Sequence, residues 1–261
     1  MDELSASAIC KALRSDFFGQ QVVYCPTIDS TNSVAKMLAL QGAAEGTLVV
    51  ADKQTAGRGR LGRRWLAPRG TCLLFSLVFR PGLKVERAQA LNMICGLGVR
   101  QAIHELTALP AQLKWPNDIM LHGRKAGGIL TEMSSRGELL EYVVVGIGLN
   151  VNVDITALPA EFNATSIAHE LGRMVPRLSL LQEAVRLIEQ RYSALRAGES
   201  PLADWAAALE TLGQRVQVHT GQGLWQGLAT GVDDEGALLL RLDDGHLRRV
   251  LLGDIVAYEE K

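Results

Sequence analysis

Several things are scarce in this 261-residue chain, and each scarcity excludes something. Four cysteines (Cys10, Cys25, Cys72, Cys95) stand far apart with no Cys-x-x-Cys pair. That spacing argues against a disulfide frame and against a zinc site. Cys72 and Cys95 fall within apolar runs and read as small core residues of a protein kept in a reducing compartment. Five histidines (His104, His122, His169, His219, His246) are scattered, so they form no metal cluster. Net charge is scarce too: Lys+Arg is 27 and Asp+Glu is 28. A dedicated nucleic-acid binder carries a basic excess. No apolar run approaches the length of a membrane span. The N-terminus, MDELSASAICKALRS, lacks the basic and apolar regions of a secretion signal. A cytoplasmic globular protein is the expectation, and 48% hydrophobic with 21% charged residues suits it. There are no internal repeats or low-complexity tracts.

Hydrophobic period and punctuation predict the elements. A short helix is expected over 3–14 and a strand over 21–26. A helix over 29–42 is capped by Asp29 or Ser30 and closed by Gly42. Strands over 47–54 and 71–81 follow, then a long helix over 85–106. Residues 111–152 read as a β-meander interrupted by the turn-rich WPND, HGRK and SSRGE. A short helix runs from Thr165 to Leu171, capped by Asn163 or Thr165. A longer one is capped by Ser179 and reaches about Leu195, and Pro201 opens another. After Gly213 the helical period vanishes. Short alternating runs separated by TGQG, DDEG and DDGH predict a small five-stranded, SH3-like barrel. The expected fold is α+β, a mixed and largely antiparallel sheet with flanking helices, in two domains: 1–212 and 213–261.

What the chain has in unusual supply lies at 55–65, TAGRGRLGRRW. Three glycines (Gly57, Gly59, Gly62) alternate with four arginines (Arg58, Arg60, Arg63, Arg64), and Trp65 follows. Glycine lets a backbone approach a ligand closely, and successive N–H groups can cup an anion. Arginine's planar fork matches phosphate or carboxylate oxygens in pairs. The plain alternative is a solvated surface loop, and a third reading is a nucleic-acid patch.

Four polar clusters decide among these. Ser30-Thr31-Asn32 is either an ordinary helix start or a carboxylate site at a helix N-terminus. Lys114-Trp115-Pro116-Asn117-Asp118 makes a turn, and it also sets a cation, an amide and a carboxylate at a sheet edge. Asp118 could there hold Mg²⁺ or orient an incoming amine, with Asn117 on a phosphate or ribose. A hairpin turn explains Gly123-Arg124-Lys125, but not why Gly127 and Gly128 open the next strand, where glycine costs stability. Close approach of a ligand would explain them, with Lys125 pointing into the same space. Gly146 and Gly148 inside an apolar strand likewise suggest a flat floor, with Asn150 or Asn152 supplying amide contacts. Fixed cations, backbone donors and a carboxylate beside an apolar wall suit activation of a carboxylate by a nucleoside triphosphate. There is no Walker sequence, and GRGRLG lacks the following helix of a dinucleotide fold.

The ordered set STN (30–32), GRGR-x-GR (57–63), KWPND (114–118), RK-x-GGIL (124–130) and GIGLNVN (146–152) resembles the biotin protein ligases. The likeness covers most of the chain, the C-terminal barrel included. It implies a two-step reaction, in which biotin and ATP give biotinyl-5′-AMP and a carrier lysine then takes the acyl group. By resemblance, Ser30, Thr31, Asn32 and Gln54 bind biotin. Gly57, Arg58 and Arg60 belong to a loop folding over biotin and adenylate, with Arg60 retaining the intermediate. Arg63 faces phosphates and Trp65 packs on adenine. Lys125 contacts the biotin carboxylate and α-phosphate, Gly127, Gly128 and Ile129 line the biotin tail, and Asn117, Asn150 and Asn152 lie at the nucleotide. Lys125, Arg60 and Asp118 are the expected catalytic set, with Asp118 in the Mg²⁺ or acceptor-amine role. The implied partner is the biotin carboxyl carrier protein of acetyl-CoA carboxylase, and a homodimer is compatible with the reading.

The RK-x-GGIL stretch varies at one residue in that family, and Lys125 keeps its place. Many members begin with a winged-helix DNA-binding domain, whereas STN here stands already at 30–32. A ligase without DNA binding or repression is therefore expected. The competing readings are a lipoate or octanoate ligase or transferase of the same superfold and, from another class, a nucleic-acid-binding module. The 55–65 loop is expected to be mobile when empty and to order with biotin.

Overall fold

The computed structural model describes residues 4–13, 15–159 and 162–258. Helix α1 (Ala6–Ala12) starts at Ser5, whose hydroxyl accepts from the Ala8 amide at 3.2 Å. The expected ends of this helix, residues 3 and 14, lie outside the described residues. Strand β1 (Val22–Cys25) stops before Pro26 as expected. Helix α2 (Thr31–Leu40) then crosses over to β2 (Leu48–Ala51), which pairs parallel to β1. All later strand ladders among the described residues are antiparallel. Strand β3 (Cys72–Phe79) is followed by α3 (Gln89–Thr107), and the 111–152 stretch resolves into four strands. These are β4 (Gln112–Lys114), β5 (Asp118–Leu121), β6 (Arg124–Arg136) and β7 (Leu139–Asn150). The seven form one sheet in the order β1-β2-β3-β7-β6-β5-β4.

Strands β2 and β3 are buried at every residue, which needs cover on both faces. Helix α2 covers one face, where Ala35 and Ala39 pack against Val49, Val78 and Val144. Met37 of the same helix is half exposed. Helices α3 and α5 (Arg177–Arg196) cover the other face. They approach so closely at Gly98 that a Cβ there would stand 2.7 Å from an Ile188 side-chain carbon. Two caps differ from expectation. Helix α4 (Ile167–Leu171) is capped by Ser166, whose hydroxyl accepts from the His169 amide at 3.2 Å, not by Asn163 or Thr165. Helix α5 begins after Pro176, which places Ser179 inside its first turn.

Helix α6 (Leu202–Ala208) opens at Pro201 as expected. Five strands follow: β8 (Arg215–Thr220), β9 (Gly223–Val232), β10 (Leu238–Arg241), β11 (Leu247–Val250) and β12 (Asp254–Tyr258). Their order is β11-β10-β9-β8-β12. The strand number is as expected, but β11 and β12 remain edges, so the sheet is open where a barrel was anticipated. Val216, Val218, Ala229, Leu238, Leu240 and Ile255 join the same hydrophobic core as the large sheet. Each Val, Leu or Ile side chain among them contributes about 1.5–3 kcal/mol. Trp115, buried at the junction, donates its indole N–H to the Gly236 carbonyl at 3.0 Å.

Candidate active site

Between the two sheets lies a cleft of about 1060 Å³. Its floor is the face of β6 and β7 carrying Gly128, Gly146 and Gly148, with Ile129 bordering it from a side chain turned into the core, and its back wall is the start of α2. A Cβ on Gly146 would run into the Asn32 carboxamide, and one on Gly148 would stand 2.8 Å from the Trp65 ring. Glycine at both positions makes a flat floor on which other groups can lie. Gly128 opens onto the cleft between Lys125 and Trp65. Gly127 does not line it. A side chain there would meet the Gly148 carbonyl at 2.9 Å and Leu149, so strand packing, not ligand approach, accounts for this glycine.

The back wall is hydrogen-bonded shut. Thr31 donates its amide and its hydroxyl to Gln54 Oε1 at 2.8 and 3.1 Å. Asn32 donates to the Leu130 carbonyl and to Glu132 at 3.1 and 3.0 Å, and Ser76 Oγ stands 2.7 Å from its Oδ1. Ser30 occupies the N-cap position of α2 without capping it through its side chain, and it faces the cleft.

The Gly/Arg loop is a small hairpin across the cleft mouth. Trp65 donates to the Gly57 carbonyl at 2.9 Å and Gly59 to the Arg63 carbonyl at 2.7 Å. Leu61 at the tip has φ 52°, a conformation that strains a side chain. Gly57 sits under Trp65, where a Cβ would stand 3.0 Å from the Gln54 amide nitrogen. Three of the four arginines reach carboxylates of this chain. Arg58 pairs with Glu132 at 2.9 Å and reaches Ser33 at 3.3 Å. Arg60 pairs with Asp254 at 3.0 Å, and Arg63 meets the second oxygen of Asp254 at 2.7 Å.

The KWPND turn joins flap to floor. Asn117 donates to the Ile129 carbonyl at 2.6 Å and accepts from Arg60 at 3.3 Å. Next to it, Asp118 takes a bond of 2.6 Å from the Lys125 ammonium. Lys125 is steadied at its backbone: its N–H donates to Asn163 and its carbonyl accepts from Thr165, both at 2.9 Å. Its ammonium stands 6.0 Å from the Trp65 ring centroid. Arg60 and Lys125, 65 positions apart, thus line one cleft. Burial lowers the Arg60 pKa from its ordinary value, against the opposing charges of Asp254 and Asp118. Burial lowers that of Lys114 as well. Trp65 keeps its indole N–H buried without a hydrogen-bond partner, over Gly148.

The two late asparagines part company. Asn150 lines the cleft and donates to the Thr165 carbonyl at 3.0 Å. Asn152 lies away from it, exchanging hydrogen bonds with the backbone of Val175 at 2.9 Å in both directions. Among the described residues no three metal-ligating side chains come together. Cys72 is buried, and burial pushes its thiol up to about 12, so it is no nucleophile. Sequence reasoning missed Asp254, Tyr258 and the Phe162–Ala164 rim, all of which line the cleft. No described helix is long and apolar enough to cross a membrane.

The chain is similar to several known proteins. Residues 24–150 match the biotin/lipoate A/B protein ligase family and residues 211–258 the biotin protein ligase C-terminal domain. The chain is 36% identical to the bifunctional ligase/repressor BirA of Bacillus subtilis, over 97% of this chain and 79% of that protein. It is 36% identical to the biotin–[acetyl-CoA-carboxylase] ligase of Mycobacterium tuberculosis, over 87% and 85%. The biotin protein ligase of Aquifex aeolicus, solved with biotin and ATP, superposes with a TM-score of 0.77 at 29% identity. That match covers 93% of this chain and 100% of the other.

Proposed function

The chain belongs to the biotin protein ligase family and is a biotin ligase, and from that premise we propose that it works through biotinyl-5′-AMP. In the first step a carboxylate oxygen of biotin attacks the α-phosphorus of ATP, the new O–P bond forms, and pyrophosphate departs. In the second, the ε-amine of a lysine on a biotin carboxyl carrier domain attacks the acyl carbon and AMP departs. The convergence of Arg60 and Lys125 on one cleft, through Asn117 and Asp118, carries this reading. Both steps load negative charge on oxygens bridging carboxylate and phosphate, and two fixed cations there stabilise it.

Lys125 serves the biotin carboxylate and the α-phosphate. Arg60 and Arg63 serve the phosphate side, and the flat floor at Gly128 and Gly148 receives biotin, with Ser30, Thr31 and Gln54 at its far end. Trp65 closes over the ligand. Asp118, hydrogen-bonded to the Lys125 ammonium, takes the proton from the attacking amine. Mg²⁺ usually keeps its waters and takes one or two carboxylates. The lone Asp118 therefore suits a magnesium ion that arrives on the nucleotide, where it would neutralise phosphate charge.

The test is mass spectrometry of a carrier domain after incubation with this protein, ATP and either biotin or lipoate. One biotinyl group per carrier, pyrophosphate release and no lipoyl product are expected. Lipoyl transfer without biotinyl transfer would overturn the assignment.

A further inference from the structure

Asp254 lies outside every motif of the sequence, 194 positions from Arg60, yet it stands at the centre of the flap's charge contacts. It opens β12, where the ladder pairs it with His219 and the next residue with Val218. Its side chain is buried, its backbone is fixed by the sheet, and its two oxygens face two guanidinium groups, Arg60 at 3.0 Å and Arg63 at 2.7 Å. The adjoining Gly253 carbonyl takes a further bond from Arg60 at 3.2 Å. Two like charges in one short hairpin repel each other, and a carboxylate between them turns that repulsion into a clamp.

We propose that Asp254 is a positioning residue for the ligase reaction, a carboxylate supplied by the C-terminal sheet that holds the flap across the cleft and sets the Arg60 guanidinium. It touches neither biotin nor nucleotide in this scheme and acts through Arg60 and Arg63. The proposal deepens the biotin-adenylate reading and rests on it for its kinetic part only. The sign of the kinetic effect separates positioning from mere charge. An unassociated carboxylate near phosphates repels them, so its loss would tighten ATP. A carboxylate that preorganises two arginines makes ATP binding weaker when it is lost.

Asp254→Ala and Asp254→Asn are compared with wild type and with Asp243→Ala, which removes an exposed pair to Arg215 on the same sheet. Trypsin cleavage at the flap arginines is timed without any ligand, and the KM for ATP and the kcat are measured with biotin. For Asp254→Ala, flap cleavage about tenfold faster and a KM for ATP about tenfold higher are expected. The melting temperature should stay near that of Asp243→Ala. Asp254→Asn, which keeps the shape and an acceptor, should fall between, and it decides the matter if the alanine variant does not fold. Unchanged or lower KM with unchanged cleavage overturns the proposal, as do changes that appear only together with a drop in melting temperature. Cleavage needs no substrate, so an inactive wild type would sink the reaction scheme and leave this test standing.

Discussion

The flap at 55–65 and the hairpin of β5 and β6 each deliver a cation to the same cleft, and they hold it by different means. Lys125 is carried by a ladder: β5 pairs with β6, β6 with β7, and Ala126, Ile119 and Ile129 are buried beneath. Arg60 is carried by charge. The hairpin around it buries little besides Gly57 and is tied to the body by ion pairs to Glu132 and Asp254. Ladder and core resist salt and single substitutions, whereas ion pairs with an exposed partner, Arg58–Glu132 and Arg63–Asp254, are screened by it. A fixed floor with an electrostatically fastened lid can admit substrate and still keep water from an acyl-phosphate.

The sharpest break in that comparison is Lys125→Ala. Because the ladder does not depend on the side chain, the variant should fold with an unchanged melting temperature. Pyrophosphate release should fall by about a hundredfold or more. Wild-type release would remove Lys125 from the chemistry. Gly148→Ala attacks the floor instead. Its Cβ would displace the Trp65 ring, and calorimetry should record biotin binding weakened roughly tenfold. Native affinity would mean that the flat floor is not the ligand's seat. The smallest effect should come from salt. Going from about 0.05 to about 0.5 M shortens the screening length severalfold, and trypsin cleavage in the flap should rise a few-fold. Amide exchange in β6 and β7 should not change. Equal response of both regions would erase the distinction drawn between them.

The sequence shows the elements whose signals are local. Strands β1 to β3 and helices α2, α3 and α6 fall where period and punctuation put them, within a residue or two at most ends. The residues at the cleft from STN, KWPND and GIGLN are local too, because turns and glycine-bearing strands announce themselves. What stayed hidden depends on distance along the chain. No pattern around Asp254 tells that its carboxylate will meet Arg60. Asn152 looks like Asn150 in sequence, yet the chain has turned by two residues and points it at Val175. Gly127 and Gly128 are neighbours, but alternation sends only one of them to the cleft. Sheet closure was overestimated for a related reason, since strand count is written locally and edge pairing is not.

The wide separation of Arg60 from Asp254 also gives the molecule a history. At about 5–20 residues per second, 194 residues take the ribosome roughly 10–40 s to translate. For that interval the arginine hairpin is already outside or near the exit tunnel, beside rRNA and other polyanions, without the carboxylate that later quiets it. Translation order thus supplies the carboxylate that fastens Arg60 only after every strand of the floor has been made.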